Sequence, residues 1–234
     1  MSKNDRPGLS HPATRAFVEE ARRAPGFSRF DLLHGYVYAR WPYLYIGIGT
    51  GQHWLSRLVR PLAGVLGRLF PPGTAADGTP MTFADGYHGK VVPLEAARQL
   101  VTVAEDVDLG DLEQIVPYDR ARDLVLQHPD HIVALECPCR SVRPNPCLPL
   151  DVCLIVGEPF ASFVMEHHPR KARWIDQEEA VDILAAEQAR GHVSHAYLTD
   201  AMLGRFYAIC NCCSCCCGAM EAQRNGTPII SSSG

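Results

Sequence analysis

All ten cysteines of this 234-residue chain lie between Cys137 and Cys217, and none precedes them. No other feature limits the fold as much. Ten thiols within 81 residues must be gathered around something, oxidised in pairs, or buried singly. The opening MSKNDRPGLSHPATR has no apolar core behind its charges, so a secretory signal is not expected. No 18-residue run is purely apolar, so no spanning helix is expected. The expected location is therefore cytoplasmic, where thiols stay reduced and a dense cysteine cluster reads as metal binding rather than as disulfides.

The spacing separates two groups. The first is Cys137-Pro-Cys139-Arg140, followed by Cys147 and Cys153 on a stretch stiffened by Pro144, Pro146 and Pro149. Proline removes backbone donors and limits unfolded freedom, which partly preorganises such a loop. The second is Cys210, Cys212, Cys213, Cys215, Cys216 and Cys217, six thiols in eight residues. Cys210, Cys213 and Cys216 make C-x2-C-x2-C, the spacing that holds three corners of a cubane in bacterial ferredoxins. The fourth position of that motif falls on Met220, so a further ligand has to come from elsewhere, and the Cys137 group is the obvious donor. If the segment is extended, Cys210, Cys212 and Cys216 share one face, and Cys213, Cys215 and Cys217 the other. Two cubanes with two spare thiols, or one larger cluster, both fit the count. Arg140 and Arg143 place positive charge beside the first group and are expected to stabilise an anionic cluster as cofactor-binding residues.

Zinc is the serious rival, since thiolate-rich tetrahedral sites suit it too. Against it, zinc sites usually show two separated C-x2-C pairs, and here the pairs overlap. Among the ten histidines, His167, His168, His192 and His195 flank the cysteines as candidate non-cysteine ligands, although buried or surface roles are commoner for such residues. The run Gly47-Ile-Gly49-Thr-Gly51 has the wrong spacing for a nucleotide loop.

The rest of the chain reads as mixed. A helix is expected over residues 12–23, with Pro12 in its first turn and Pro25-Gly26 as its stop. Residues 29–48 look β-prone, with Tyr36 and Tyr38, then Tyr43 and Tyr45, at period two. Further helices are expected over 52–70, 94–103, 117–127 and 176–190, the last stopped by Gly191. Extended segments are expected at Val91-Val92, Ile132–Leu135, Val193–Tyr197 and Arg205–Ile209. The fold class is an α/β mixed (α+β), helix-predominant chain with a cysteine-rich cluster module. Residues 1–84 form a docking or membrane-facing region, and 85–234 a cluster-binding domain.

Residues 32–76 contain no acidic side chain, and Arg40, Arg57, Arg60 and Arg68 give them a charge of +4. On a helical wheel Trp54, Leu55, Leu58, Val59 and Leu62 fall on one side, and His53, Arg57, Arg60 and Arg68 on the other. Such a stripe with a basic face suits either a helix on an anionic membrane surface or one docked on its own core; Pro61 interrupts it. The net charge of −4 argues against nucleic acid as a partner.

The stretches YHGKVVPLEAARQLV, EQIVPYDRARDLVLQHPDHIVALECPCR, PCLPLDVCLIVGEPFASF and above all RFYAICNCCSCCCGAM resemble a family of 4Fe–4S ferredoxin-type iron–sulfur proteins. The likeness runs from about residue 85 onward, and CPCR and CNCCSCCCG are its specific motifs. It implies one or two [4Fe–4S] clusters, electron transfer, and metal-ligand roles for Cys137, Cys139, Cys147, Cys153 and the Cys210–Cys217 group; it supplies no reaction. Members of that family often continue into a ferredoxin domain with C-x2-C-x2-C-x3-C-P motifs, which the sequence to Gly234 does not contain. A short member, a fragment, and a protein whose ferredoxin partner is a separate chain are the alternatives. The expected partner is a redox protein, with peripheral membrane contact through residues 32–76. An enzyme with an open iron site and a zinc-stabilised interaction module stay open as other readings.

Overall fold

The computed structural model describes residues 11–24, 27–59, 61–62, 86–103, 107–108 and 125–231. Its organising element is one sheet of eight strands: β1 (Tyr87–Val91), β2 (Val107–Asp108), β3 (Val125–Leu135), β4 (Cys153–Glu158), β5 (Ala172–Ile175), β6 (Val193–Thr199), β7 (Arg205–Cys212) and β8 (Ile230–Ser231). The order is β2-β3-β4-β7-β6-β1-β8, with β5 also pairing with β3. Every pairing is antiparallel except β1 with β8.

Both faces of the sheet are buried. Along β3, Ile132 and Ala134 point to one face, where they meet Leu154, Val156, Leu100 and Leu184. Val133 and Leu135 point to the other, among Phe17, Phe160 and Phe163. Helices α4 (Leu94–Thr102) and α7 (Gln177–Ala189) cover the first face. Helices α1 (Pro12–Arg23), α2 (Arg29–Arg40) and α6 (Phe160–His167) cover the second. The result is a three-layer α+β arrangement, in which each strand's period-two alternation feeds two separate cores. Residues of α1 and α2 share a core with the sheet, so the region before residue 84 contributes directly to the body that carries the cysteines.

The expected helices at 12–23, 94–103 and 176–190 are α1, α4 and α7, and Gly191 ends α7 at φ 78°. The expected extended segments at 132–135, 193–197 and 205–209 lie in β3, β6 and β7. The β-prone reading of 29–48 is overturned. Ser28 accepts from the Asp31 backbone N–H, while its own N–H donates to the Asp31 carboxylate, a capping box that starts α2. Pro42 then opens α3 (Pro42–Gly49). Tyrosine spacing of two gave the strand pattern; the local cap and the N1 proline outweigh it. The expected helix over 117–127 is corrected at its end, because residues 125–127 belong to β3; residues 117–124 lie outside the described residues. Of the expected helix over 52–70, residues 56–59 and 61–62 are helical, and residues 60 and 63–70 lie outside the described residues.

Candidate metal centre

Leu135 ends β3 and hands the chain to Cys137, whose N–H donates to the Leu150 carbonyl at 2.7 Å, closing the cysteine loop on itself. A short helix, α5 (Pro138–Ser141), carries Cys139 and Arg140 back over the sheet. The Tyr43 hydroxyl on α3 donates to the Glu136 carbonyl at 2.9 Å and holds that junction down. On the sheet, Cys153 of β4 is the direct cross-strand partner of Cys210 of β7, and Cys212 follows two residues on, on the same face. Cys217 then stands at the N-cap of helix α8 (Gly218–Arg224). A Cβ on Gly218 would lie 3.0 Å from the Thr50 methyl and 3.5 Å from Cys139 Sγ, so the missing side chain lets α8 close onto α3 beside that thiol.

These elements enclose a cavity of about 790 Å³ lined by seven of the ten cysteines: Cys137, Cys139, Cys153, Cys210, Cys212, Cys213 and Cys217. Within it the thiols of Cys217 and Cys212 are hydrogen-bonded at 3.2 Å, and Cys139 interacts electrostatically with both Cys137 and Cys217. Cys153 and Cys210 make a separate contact at 3.5 Å. Cys213, which also lines the cavity, joins the three remaining thiols in a second group, in which the sulfurs of Cys147, Cys213, Cys215 and Cys216 all lie within 4.8 Å of one another. All ten cysteines are free. Both candidate groups of the sequence are thus present, but divided by space rather than by sequence: Cys147 joins the 213–216 turn, and Cys212 and Cys217 join Cys137 and Cys139.

Charge explains why such an arrangement calls for a cation. Contacts with Cys139 and Cys212, together with the Met220 N–H, hold the Cys217 thiol well below its ordinary range. Its neighbours move the other way: contacts with Cys137 and Cys217, and burial, push Cys139 up, and contact with Cys217 pushes Cys212 up. Cys137, like Cys217, is lowered through its contact with Cys139, so the group favours thiolates at two of its four positions and resists more, because like charges at this separation repel in a medium that solvates them poorly. A multivalent cation removes that conflict, and thiolates are soft ligands suited to iron–sulfur clusters or zinc. The spacing of Cys147, Cys213, Cys215 and Cys216 is therefore compatible with a metal ion.

Arg140 lies at the centre of the scaffold rather than on the cavity wall alone. It is 1% exposed and donates to Glu187 at 2.5 Å, the Pro149 carbonyl at 2.5 Å and the Asn211 carbonyl at 3.0 Å. Its Nε is buried with no protein partner, and its charge acts on Cys137. Arg143 binds the Cys216 carbonyl through Nε and Nη2 and pairs with Glu221. The two arginines thus tie the cysteine loop to α7, to β7 and to the turn before α8. Glu187, fully buried beside Arg140, Arg190 and His192, is the counter-charge that the sequence did not single out, since a glutamate near a helix end carries no signal of burial.

The histidines separate in the same way. His167 bonds to Thr14 Oγ1 at 2.8 Å, His168 to the Ala39 carbonyl at 2.9 Å, and His192 to Glu187 at 2.7 Å. These three secure helices. His195 is the cross-strand partner of Cys210, is buried with its Nδ1 unpartnered, and acts electrostatically on Cys217. Tyrosines line the same cavity. The Tyr38 hydroxyl is hydrogen-bonded to those of Tyr87 at 2.5 Å and Tyr207 at 2.7 Å, and burial pushes all three phenols far up, so they stay neutral. Period-two spacing of tyrosines hid this trio, which joins α2, β1 and β7. No family model, curated protein or solved structure matches the chain.

Proposed function

We propose that the protein binds iron–sulfur clusters of the [4Fe–4S] type and works as a ferredoxin-like electron carrier or redox-complex subunit. The observation that carries this reading is the run of thiols Cys137, Cys139, Cys217 and Cys212, drawn from two segments about 75 residues apart into the lining of one cavity. Those four are assigned as ligands of the inner centre, and Cys147, Cys213, Cys215 and Cys216 as ligands of the outer one. When bound, such a cluster supplies one-electron storage. The chain's own residues then do three things. The apolar helices exclude water, the Arg140 charge offsets thiolate charge, and the outer group lies close enough to the surface for a partner to approach, with Cys215 exposed. The resemblance of the CPCR and CNCCSCCCG motifs to ferredoxin-type proteins supports the same reading.

Anaerobic purification with iron, sulfide and zinc quantitation tests it. Brown protein containing iron and labile sulfide is expected; stoichiometric zinc without sulfide after anaerobic reconstitution overturns the proposal. A second reading applies to the outer group alone. A tetrahedral ion with bonds of about 2.3 Å sets its thiolates roughly 3.8 Å apart, within the 4.8 Å spread of these four sulfurs. A single zinc or iron ion there, with a cluster in the cavity, gives an iron content lower than two clusters require.

The attachment surface is assigned to the N-terminal helices. Leu33, Trp54, Leu58 and Leu62 are exposed in a stretch rich in arginine and free of carboxylates from residue 32 to 76, and Phe30 is exposed just before it. An anionic lipid surface or an acidic redox partner suits that chemistry. No helix among the described residues is long and apolar enough to cross a membrane. A cytoplasmic location, peripheral to the inner face of the membrane, belongs to the same proposal.

A further inference from the structure

The division of the thiols leaves two over. Cys137, Cys139, Cys212 and Cys217 are linked to one another, and Cys147, Cys213, Cys215 and Cys216 form the outer four. Cys153 and Cys210 belong to neither set. The Cys210 thiol is hydrogen-bonded to Cys153, and Cys212 and Cys137 act on it only through charge. We propose that Cys153 and Cys210 are not cluster ligands but a redox-active dithiol–disulfide couple that exchanges electrons with the inner cluster. This rests on the iron–sulfur reading of the neighbouring thiols.

The geometry is that of a cross-strand pair. Cys153 and Cys210 are in direct register on adjacent antiparallel strands, with sulfurs 3.5 Å apart. Facing residues in such ladders have Cα atoms about 4.5–5.5 Å apart, inside the roughly 4.4–6.8 Å that a disulfide accepts. Side-chain rotation alone brings the sulfurs to bonding distance. Spreading them around a polynuclear core is harder. β4 and β7 are interior strands, flanked by β3 and β6, so their separation cannot change without breaking the sheet. The other close pairs differ. Cys217 also meets Cys139, Cys215 also meets Cys216, and both stand at turns that can adjust to a metal.

Both thiols line the cavity with Tyr38, whose phenol feels the charge of each. On oxidation two S–H bonds break, one S–S bond forms, and two protons leave to water. The two electrons would be taken up one at a time by two equivalents of an oxidised one-electron carrier protein, a cluster held by the neighbouring thiols supplying the one-electron path. Reduction runs the same steps in reverse. The couple thus links one-electron traffic at the cluster to two-electron dithiol chemistry on the sheet.

The test uses the full chain, purified anaerobically and assayed for iron and sulfide. It is poised in a series of oxidised and reduced dithiothreitol mixtures, quenched in acid with a maleimide, and digested without reduction for mass spectrometry. A peptide linked through Cys153 and Cys210 is expected to appear with a tenfold change in the linked-to-unlinked ratio per about 30 mV, as a two-electron couple requires. The Cys153→Ala/Cys210→Ala variant is expected to keep wild-type iron and sulfide and to lose the transition. Iron-replete protein with no linked peptide at any potential overturns the proposal. So does loss of iron in the double variant while its melting curve stays that of a folded protein. The peptide map of the unmutated chain gives the decision if the variant does not fold. Wild-type protein that holds no iron or sulfide overturns the cluster reading separately, and the linked peptide then still reports whether the pair forms.

Discussion

Cys139 and Gly218 show how much one position matters in this molecule. Cys139 bridges Cys137 and Cys217 in the inner group, and Gly218 leaves the gap that its sulfur borders. Cys139→Ser and Cys213→Ser are each expected to lower iron content and the melting temperature together, because a metal that joins segments about 70 residues apart contributes folding energy the unfolded chain cannot recover. Iron assay and thermal unfolding on the same preparations check this; full iron with unchanged melting in both variants removes those thiols from the ligand sets. Gly35 is a second such position. A Cβ there would lie 1.9 Å from the Ala201 carbonyl oxygen, so α2 must shift to admit it. Gly35→Ala is expected to cost about 1–3 kcal/mol, read as a lowered urea midpoint. At His167, burial, reinforced by the Arg40 charge, pushes the imidazole down to about 4. The unfolded chain therefore binds the proton more readily between pH 6.5 and about 4, and stability falls as pH is lowered through that window. His167→Gln is expected to flatten this part of a pH series of melting temperatures.

At the scale of elements, the caps and stops decide more than side-chain periodicity. Ser28 and Asp31 start α2 through reciprocal hydrogen bonds, and Pro42 starts α3, which is why the tyrosine alternation at 36–45 does not make a strand. Removing the Ser28 hydroxyl should cost about 1 kcal/mol, or a fall in melting temperature of roughly 2–4 °C for a chain of this size. Thermal unfolding of Ser28→Ala measures it. The consequence for the site is direct. α2 carries Tyr38 to the phenol trio, and α3 carries Tyr43 to the Glu136 carbonyl, so both helices are part of the wall around the thiols. β4 escaped the sequence reading because its buried run Cys-Leu-Ile-Val lacks polar alternation and follows a proline-rich loop. Interior strands covered on both faces read that way.

For the whole molecule, the sheet's two buried faces assign different work to its two sides. The face under α4 and α7 is closed by aliphatic side chains and Phe206 and carries stability. The face under α1, α2 and α6 opens at one end into the thiol-lined cavity. Helix α2 beside this cavity also presents Phe30 and Leu33 to solvent, and the turn after α3 presents Trp54, which is 67% exposed. Attachment through that surface predicts co-sedimentation with anionic vesicles, weakened in Arg57→Glu/Arg60→Glu and by added salt. Equal absence of binding in both proteins leaves an acidic protein partner as the occupant to test.

Residue types and local spacing alone determined that this chain concentrates thiols after residue 137, that α1, α4 and α7 are helices, and that β3, β6 and β7 are extended. Those properties follow from composition, prolines, caps and short-range periodicity, which act within a few residues. Which cysteines stand together was decided by tertiary structure. Cys147 lies 66 positions before Cys213 yet shares its group, whereas Cys210 and Cys213, three apart, fall in different ones. Strand register separates the last two: Cys210 is held within β7 opposite Cys153, while Cys213 lies beyond the strand's end in the turn. The burial of Arg140 against Glu187, and the meeting of Tyr38, Tyr87 and Tyr207, likewise depend on contacts spanning 47 to 169 residues. Such contacts form only when the sheet closes, because cross-strand neighbours are chosen by hydrogen-bond register and by the burial of both faces, and neither is written in the spacing of any one segment.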